Sequence, residues 1–256
     1  MGEFIKTQTN EHIIFIGLDR GKSNALHLEM VQELHQEIRL AKDNPAIEAL
    51  ILHGKEGFFS SGLDLINLYA YDREQMHKFW TAFMDLIYEL AAFPKPSIAS
   101  ITGHSPAGGC VLAICCDYRI MAEGDFIIGL NEIPVGITVP SSIFELYSFW
   151  LGQAEAYRSL LVGRLMNTQE ALSSKLVDEL VPADRVNTAA TRRAKSVMQF
   201  DKKAWSASKL NLRQNLLQKL QLDKETAIHQ VLEQWWQPST RAILKTIIEN
   251  LTKKKA

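Results

Sequence analysis

Two glycine-bearing loops constrain this chain more than any other feature. Phe59-Ser60-Ser61-Gly62-Leu63-Asp64 and Pro106-Ala107-Gly108-Gly109 each follow an apolar strand-like run and each lead into a segment with helical spacing. Ala49-Leu50-Ile51-Leu52 and residues 97–101 read as buried strands, whereas Leu28, Val31, Leu34, Ile38 and Ala41 recur at helical spacing and stop short of Pro45. Residues 2–19 read as two short strands, and residues 117–122 and 126–129 as two more. Residues 103–109 read as a loop that opens a helix over 111–116. After Pro140 the pattern turns helical, with Thr168 expected to cap Gln169-Glu170-Ala171-Leu172, and residues 177–181 read as a last strand. From about Ala183 onward nearly every segment is helix-forming. The alternation predicts an α/β fold, with residues 1–195 as the core and 196–256 as a helical C-terminal segment.

Charge bears on what such a chain binds. Lys and Arg total 28 against 29 for Asp and Glu, so no overall positive field draws in nucleic acid or an anionic membrane. An anionic ligand must be met locally. Cys110, Cys115 and Cys116 lie in an apolar stretch without His or Cys at ligand spacing, which argues against a metal site or a disulfide framework. Residues 1–10 lack a charged-then-apolar signal pattern, and no apolar run approaches the roughly 20 residues of a membrane span. The expectation is a cytoplasmic protein. Met1-Gly2 with Lys6 does not fit a myristoylation motif, and the end Lys253-Lys254-Lys255-Ala256 fits no address signal.

Three chemistries compete. Gly103-His104-Ser105-Pro106-Ala107 resembles a nucleophile elbow, but the residue after the serine must donate its N–H to the oxyanion, and Pro106 has none. His229 is the only histidine downstream of Ser105, so Ser105 reads as a turn residue. The two glycine loops offer unpaired N–H groups at helix starts, where a developing negative oxygen is favoured; singly, either loop is more often an ordinary tight turn. Glu132 is a lone carboxylate within Ile127 to Ile137, an otherwise apolar segment, and a carboxylate away from water has its pKa raised toward that of a general base. A partner such as Arg119 would make it structural instead.

Taken together these segments resemble the crotonase superfamily, the enoyl-CoA hydratase and isomerase family, over about residues 10–185. Asn24-Ala25-Leu26 looks like its first CoA-contacting turn, and Phe59 to Leu65 like its first oxyanion loop. Pro106-Ala107-Gly108-Gly109-Cys110 looks like the second, and Gln169 to Pro182 like a late signature. The resemblance implies a spiral of strand-strand-helix turns and a helical C-terminal part that builds homotrimers or hexamers. It implies the N–H groups of Leu63 and Gly108 as oxyanion donors, with Gly109 as neighbour, and Glu132 as the acid–base group. It implies an acyl-CoA substrate met by Asn24, Ala25, Ser61, Gly62, Asp64, Leu65, Gly109 and Lys209, with no cofactor beyond the CoA of the substrate and no metal. Lys22, Lys55 and Arg213 are further candidates for the CoA phosphates, although any of these cations also serves as a solvated charge.

Hydratases of this family hold a water between two glutamates, the first on the helix after the second oxyanion loop, where this sequence has Val111. Only the second, Glu132, is present. The pattern is most similar to the Δ3,Δ2-enoyl-CoA isomerase branch. Dienoyl-CoA isomerases carry a further acid about two turns on, and residues 133–144 contain none. Ser61 in place of the commoner Ala, and Ser105-Pro106 ahead of the glycines, are departures that leave the donors intact. The rivals are a hydratase or thioester hydrolase of the same family and, in another class, a non-catalytic acyl-CoA binding protein.

Overall fold

The computed structural model describes residues 2–253. Met1 of the Met1-Gly2 pair, and Lys254, Lys255 and Ala256 of the basic end, lie outside these residues.

The fold is α/β, a spiral of strand-strand-helix turns. It opens with an antiparallel pair, β1 (Ile5–Asn10) and β2 (Ile13–Leu18), followed by helix α1 (Leu28–Asp43). The spiral then repeats one unit. A strand of a large sheet leads into a short strand of a small sheet and then into helix: β3 (Ala49–His53), β4 (Gly57–Phe58), α2 (Leu65–Ala70) and α3 (Arg73–Ala91). The next turn is β5 (Ser97–Ile101), β6 (Gly103–Pro106) and α4 (Gly108–Cys115). The third is β7 (Tyr118–Ala122), β8 (Ile127–Gly129), a 3-10 turn at Ile133–Val135, α5 (Ser141–Leu151) and α6 (Gln153–Val162). After β9 (Leu165–Asn167), α7 (Thr168–Ser173) and β10 (Glu179–Val181) come α8 (Val186–Met198), α9 (Lys202–Leu212), α10 (Gln214–Gln221), α11 (Lys224–Trp235) and α12 (Pro238–Lys253). The large sheet runs β1-β2-β3-β5-β7-β10 and the small one β4-β6-β8-β9.

Both faces of the large sheet are covered, which explains its continuous apolar runs. Leu50 and Leu52 of β3 face the main core with α1, α3 and α4; Ala49 and Ile51 face a second cluster with Val186, Ala189 and Ala190 of α8. Helix α4 is buried on every side, so it shows no amphipathic stripe. The C-terminal helices share the main core through Leu216, Ile228, Val231, Trp235 and Leu244.

Four local expectations need correction. Residues 103–106 are strand rather than loop, because Gly57 of β4 on one side and Ile128 and Gly129 of β8 on the other supply ladder partners. Ser105 is therefore a buried strand residue and not a turn residue. Helix α4 starts at Gly108, three positions earlier than its apolar run suggests, since the two glycines belong to its first turn. The cap of α7 is Asn167, whose side chain accepts from Glu170 N while Glu170 answers to Asn167 N, a reciprocal box that displaces Thr168. The last strand is also shorter than expected, Glu179–Val181, and β9 was unread because three residues carry no period.

Candidate active site

The two glycine loops meet. A Cβ on Gly62, whose φ is +84°, would lie 2.8 Å from Ala107 Cβ and 3.0 Å from Gly108 N. A Cβ on Gly109 would lie 2.4 Å from Ser60 O, so any side chain there would push the loops apart. The first loop is laddered to residues 23–26: Ser61 N donates to Ser23 O, Leu26 N to Gly62 O and Asp64 N to Leu26 O, each at 2.8 Å. That pattern passes over Leu63 N, which has no acceptor among the described residues. Gly108 N, first in α4, has no intrahelical acceptor either. Just before it Ala107 holds φ +50°, a conformation that costs an L-residue about 1–3 kcal/mol. Ala107 N donates to Gly129 O at 2.8 Å, tying the second loop to the end of β8.

Three residues beyond that tie stands Glu132. It is 7% exposed, and its Oε2 is buried without a hydrogen-bond partner among the described residues. Burial pushes its carboxyl up to about 7. Arg119 is not its partner: that guanidinium pairs with Asp178 and stacks on Trp150, 3.7 Å from the ring centre. The main-chain oxygen of Glu132 accepts from Val135 N at 3.1 Å and Ile137 N at 2.9 Å, so the turn after it is closed on itself. Val111 is 1% exposed within α4, with no acid beside it on that helix.

The remaining predicted residues divide. Gly62, Gly108 and Gly109 stand where the two loops meet, Leu63 follows in the first loop, Glu132 follows the end of β8, and Leu65 packs against the core at the start of α2. Asn24 is fully buried and commits its side chain to the first loop: Nδ2 donates to Phe59 O and Oδ1 accepts from Arg20 N. It supports the loop rather than facing a ligand. Asp64 caps α2 through Asn67 N at 3.1 Å and pairs with Arg20 at 2.7 Å, and Arg20 also donates to Ala25 O at 2.7 Å. Ser61 Oγ donates to Ser23 Oγ. Lys209 is corrected most clearly. It is 7% exposed, and its ammonium donates to Asp117 Oδ2 at 2.7 Å and to Lys95 O at 3.1 Å. Arg213 donates to Ala91 O, Cys115 O and Cys116 O. Both cations dock the C-terminal helices, so neither offers free charge to a phosphate. Lys55 pairs with Asp19.

Sequence reasoning missed what covers the site. On α12, Thr240 Oγ1 donates to Gly136 O at 3.0 Å, in the turn after Glu132, and Arg241 Nη2 donates to Tyr69 O at 3.0 Å, on the helix after Leu63. One helix thus pins both halves. Along the turn that follows Glu132 opens an apolar cleft of about 440 Å³ lined by Ile133, Ile137, Val139, Phe144, Leu160 and Leu161. A second apolar groove, of about 560 Å³, is lined by Pro45, Pro96, Phe200 and Trp205 and lies at the opposite ends of β3 and β5, away from this chemistry.

Comparison with known proteins places these features. The enoyl-CoA hydratase/isomerase family matches residues 8–248. Over 196 residues the chain is 35% identical to the mitochondrial enoyl-CoA delta isomerase 1 of Mus musculus, covering 76% of this chain and 66% of that protein, just under two thirds of its length. A probable enoyl-CoA hydratase of Mycobacterium tuberculosis is 30% identical over 203 residues, covering 79% of this chain and 78% of that one. The crystal structure of human mitochondrial delta3-delta2-enoyl-CoA isomerase superposes with a TM-score of 0.95 at 26% identity, over 99% of this chain and 100% of that one.

Proposed function

This chain belongs to the enoyl-CoA hydratase/isomerase family, and on that premise we propose that it is an enzyme that moves the double bond of a 3-enoyl-CoA to give the trans-2-enoyl-CoA. Glu132 takes a proton from C2, breaking that C–H bond. The electrons of that bond form C1=C2 of a dienolate, with the charge on the thioester oxygen and C3=C4 still in place; as the C1=O bond re-forms, C2=C3 closes and the C3=C4 pair takes the proton back at C4 from the protonated Glu132. During the transfer, negative charge on the thioester oxygen is held by the N–H groups of Leu63 and Gly108; one such donor is worth on the order of 3 kcal/mol to a transition state. The observation that carries the reading is the buried carboxyl of Glu132, with Oε2 unpartnered, three residues after the strand end to which the second loop is tied and with two unpaired N–H groups where the loops meet; Val111 stands where a second acid would be needed to hold water. A carboxyl near 7 both accepts and releases a proton at neutral pH.

The apolar cleft along the turn after Glu132 suits the hydrocarbon end of the substrate. Self-association into a homotrimer or hexamer belongs to the same reading, supported by the exposed apolar side chains of Ile133, Tyr157, Leu161 and Val162 around that cleft. Hydration is the second reading, favoured by the hydratase name of the mycobacterial relative.

The test is the rise of conjugated thioester absorbance when the protein meets a trans-3-enoyl-CoA, run beside Glu132→Gln and beside 2-enoyl-CoA as a hydration substrate. Isomerisation by wild type, its loss in the variant and no hydration are expected. Hydration without isomerisation would replace the first reading by the second.

A further inference from the structure

The groove at the far ends of β3 and β5 carries chemistry that the proposed reaction does not use. Three segments wall it: the turn before β3, the turn before β5 and the corner between α8 and α9. Its volume of about 560 Å³ falls in the range of roughly 300–1,000 Å³ that small-molecule sites occupy. Ile47, Val197, Trp205 and Leu210 make the lining apolar, and Pro45, Pro94 and Pro96, whose φ is fixed, stiffen two of the walls.

The polar side of this groove is cationic. Lys95, Lys202 and Lys203 line it against a single acid, Glu48, which pairs with Lys202 at 2.6 Å. Lys95 is half-buried, and its ammonium donates to Ala41 O at 2.8 Å and to Asn44 O at 2.7 Å. Those two carbonyls close the end of α1, whose dipole answers only about half of a full charge. An ammonium has three donors, so Lys95 keeps one N–H free, and among the described residues no carboxylate stands within ion-pair distance of it. Its main-chain oxygen accepts from Lys209 Nζ at 3.1 Å, so both ends of the residue are fixed and α9 is tied to it. Lys203, exposed at the lip, makes no ion pair among the described residues. Two cations without counter-ions thus border an apolar floor, in a chain whose net charge is -1.

We propose that this groove is a second ligand site, for a carboxylate carrying a long hydrocarbon chain: the chain lies along Ile47, Val197, Trp205 and Leu210, and the carboxylate accepts the free N–H of Lys95, with Lys203 at the lip. A small anion would leave the apolar floor wet, and a neutral hydrocarbon would leave Lys95 unanswered. The site is separate from the loops that meet at Gly62 and Gly108, so the proposal stands whichever reaction Glu132 carries out.

The probe is 12-bromododecanoate, kept below its micelle concentration and added to the full chain, because bromine quenches tryptophan fluorescence at contact. Saturable quenching is expected, with its loss in Trp205→Phe. Dodecanoate is expected to displace the probe about tenfold more tightly than dodecanol, the difference one charge-assisted hydrogen bond makes. Lys95→Met keeps the apolar stem and drops the charge; it is expected to weaken dodecanoate about tenfold and to leave dodecanol unchanged, whereas damage to the groove would weaken both. Ala207→Phe, at an exposed position of α9 that lines the groove, fills the space and is expected to abolish quenching, which keeps the site testable if Lys95→Met does not fold. Absence of quenching in wild type overturns the proposal. So does quenching that persists in Trp205→Phe or that one equivalent of an acyl-CoA removes, since the probe then sits elsewhere, and so does equal displacement by dodecanol, since no carboxylate is then recognised.

Discussion

At the scale of single residues, Glu132 connects activity with stability. Its carboxyl lies at about 7 in the fold against 4.5 ordinarily, so between those values the folded chain holds a proton that the unfolded chain releases. Stability is full below about 4.5, falls as pH rises toward 7 and is level above it; the difference corresponds to about 3 kcal/mol. Glu132→Gln, which cannot ionise, is therefore expected to exceed wild type by about that amount in urea unfolding at pH 8 and to match it at pH 4. Equal midpoints at both pH values would mean that the carboxylate is solvated or paired. Glu132 was legible because it is the only acid in an apolar run, a local property. Lys209 misled for the converse reason: on an amphipathic helix a lysine looks solvated, and nothing near it in sequence announces Asp117, 92 positions away.

At the scale of elements, Asp117 decides how the C-terminal helices dock. Its carboxylate accepts from Ser97 N at 2.8 Å, Ser97 Oγ at 2.9 Å and Lys209 at 2.7 Å, and pairs with Arg213 at 3.1 Å. Lys209 and Arg213 are each under a tenth exposed, so Asp117→Asn would strand two buried cations. The expected loss is about 3–5 kcal/mol, read as a lower urea midpoint, with the pH profile of catalysis retained because Asp117 makes no hydrogen bond to Leu63, Gly108 or Glu132. A loss within 0.5 kcal/mol, the range of ordinary surface changes, would show that the helices dock by apolar packing alone. The long helices and buried strands were legible from period and from breakers at Pro45, Pro94 and Pro96. Strand β6 was not, since Gly103 and Pro106 are poor strand residues whose pairing comes from neighbours on both sides.

At the scale of the whole molecule, an apolar surface around the cleft that follows Glu132 stays uncovered in a lone chain: Tyr157 is 59% exposed, Leu161 52% and Val162 68%. If copies associate there, sedimentation of the wild type gives a trimer or hexamer, and Leu161→Glu shifts it to smaller species. A wild type that sediments as a single chain would remove association from the reading. The sequence by itself determined the α/β alternation, the two glycine loops and the lone buried acid, because periodicity, turn chemistry and polarity act within a few residues. Only the tertiary structure decided that the loops touch, that Ala107 takes a left-handed φ just before Gly108 N, and that Lys209 belongs to Asp117. Each of those depends on segments far apart in the chain meeting in a water-free interior, where burial and hydrogen-bond partners are settled together.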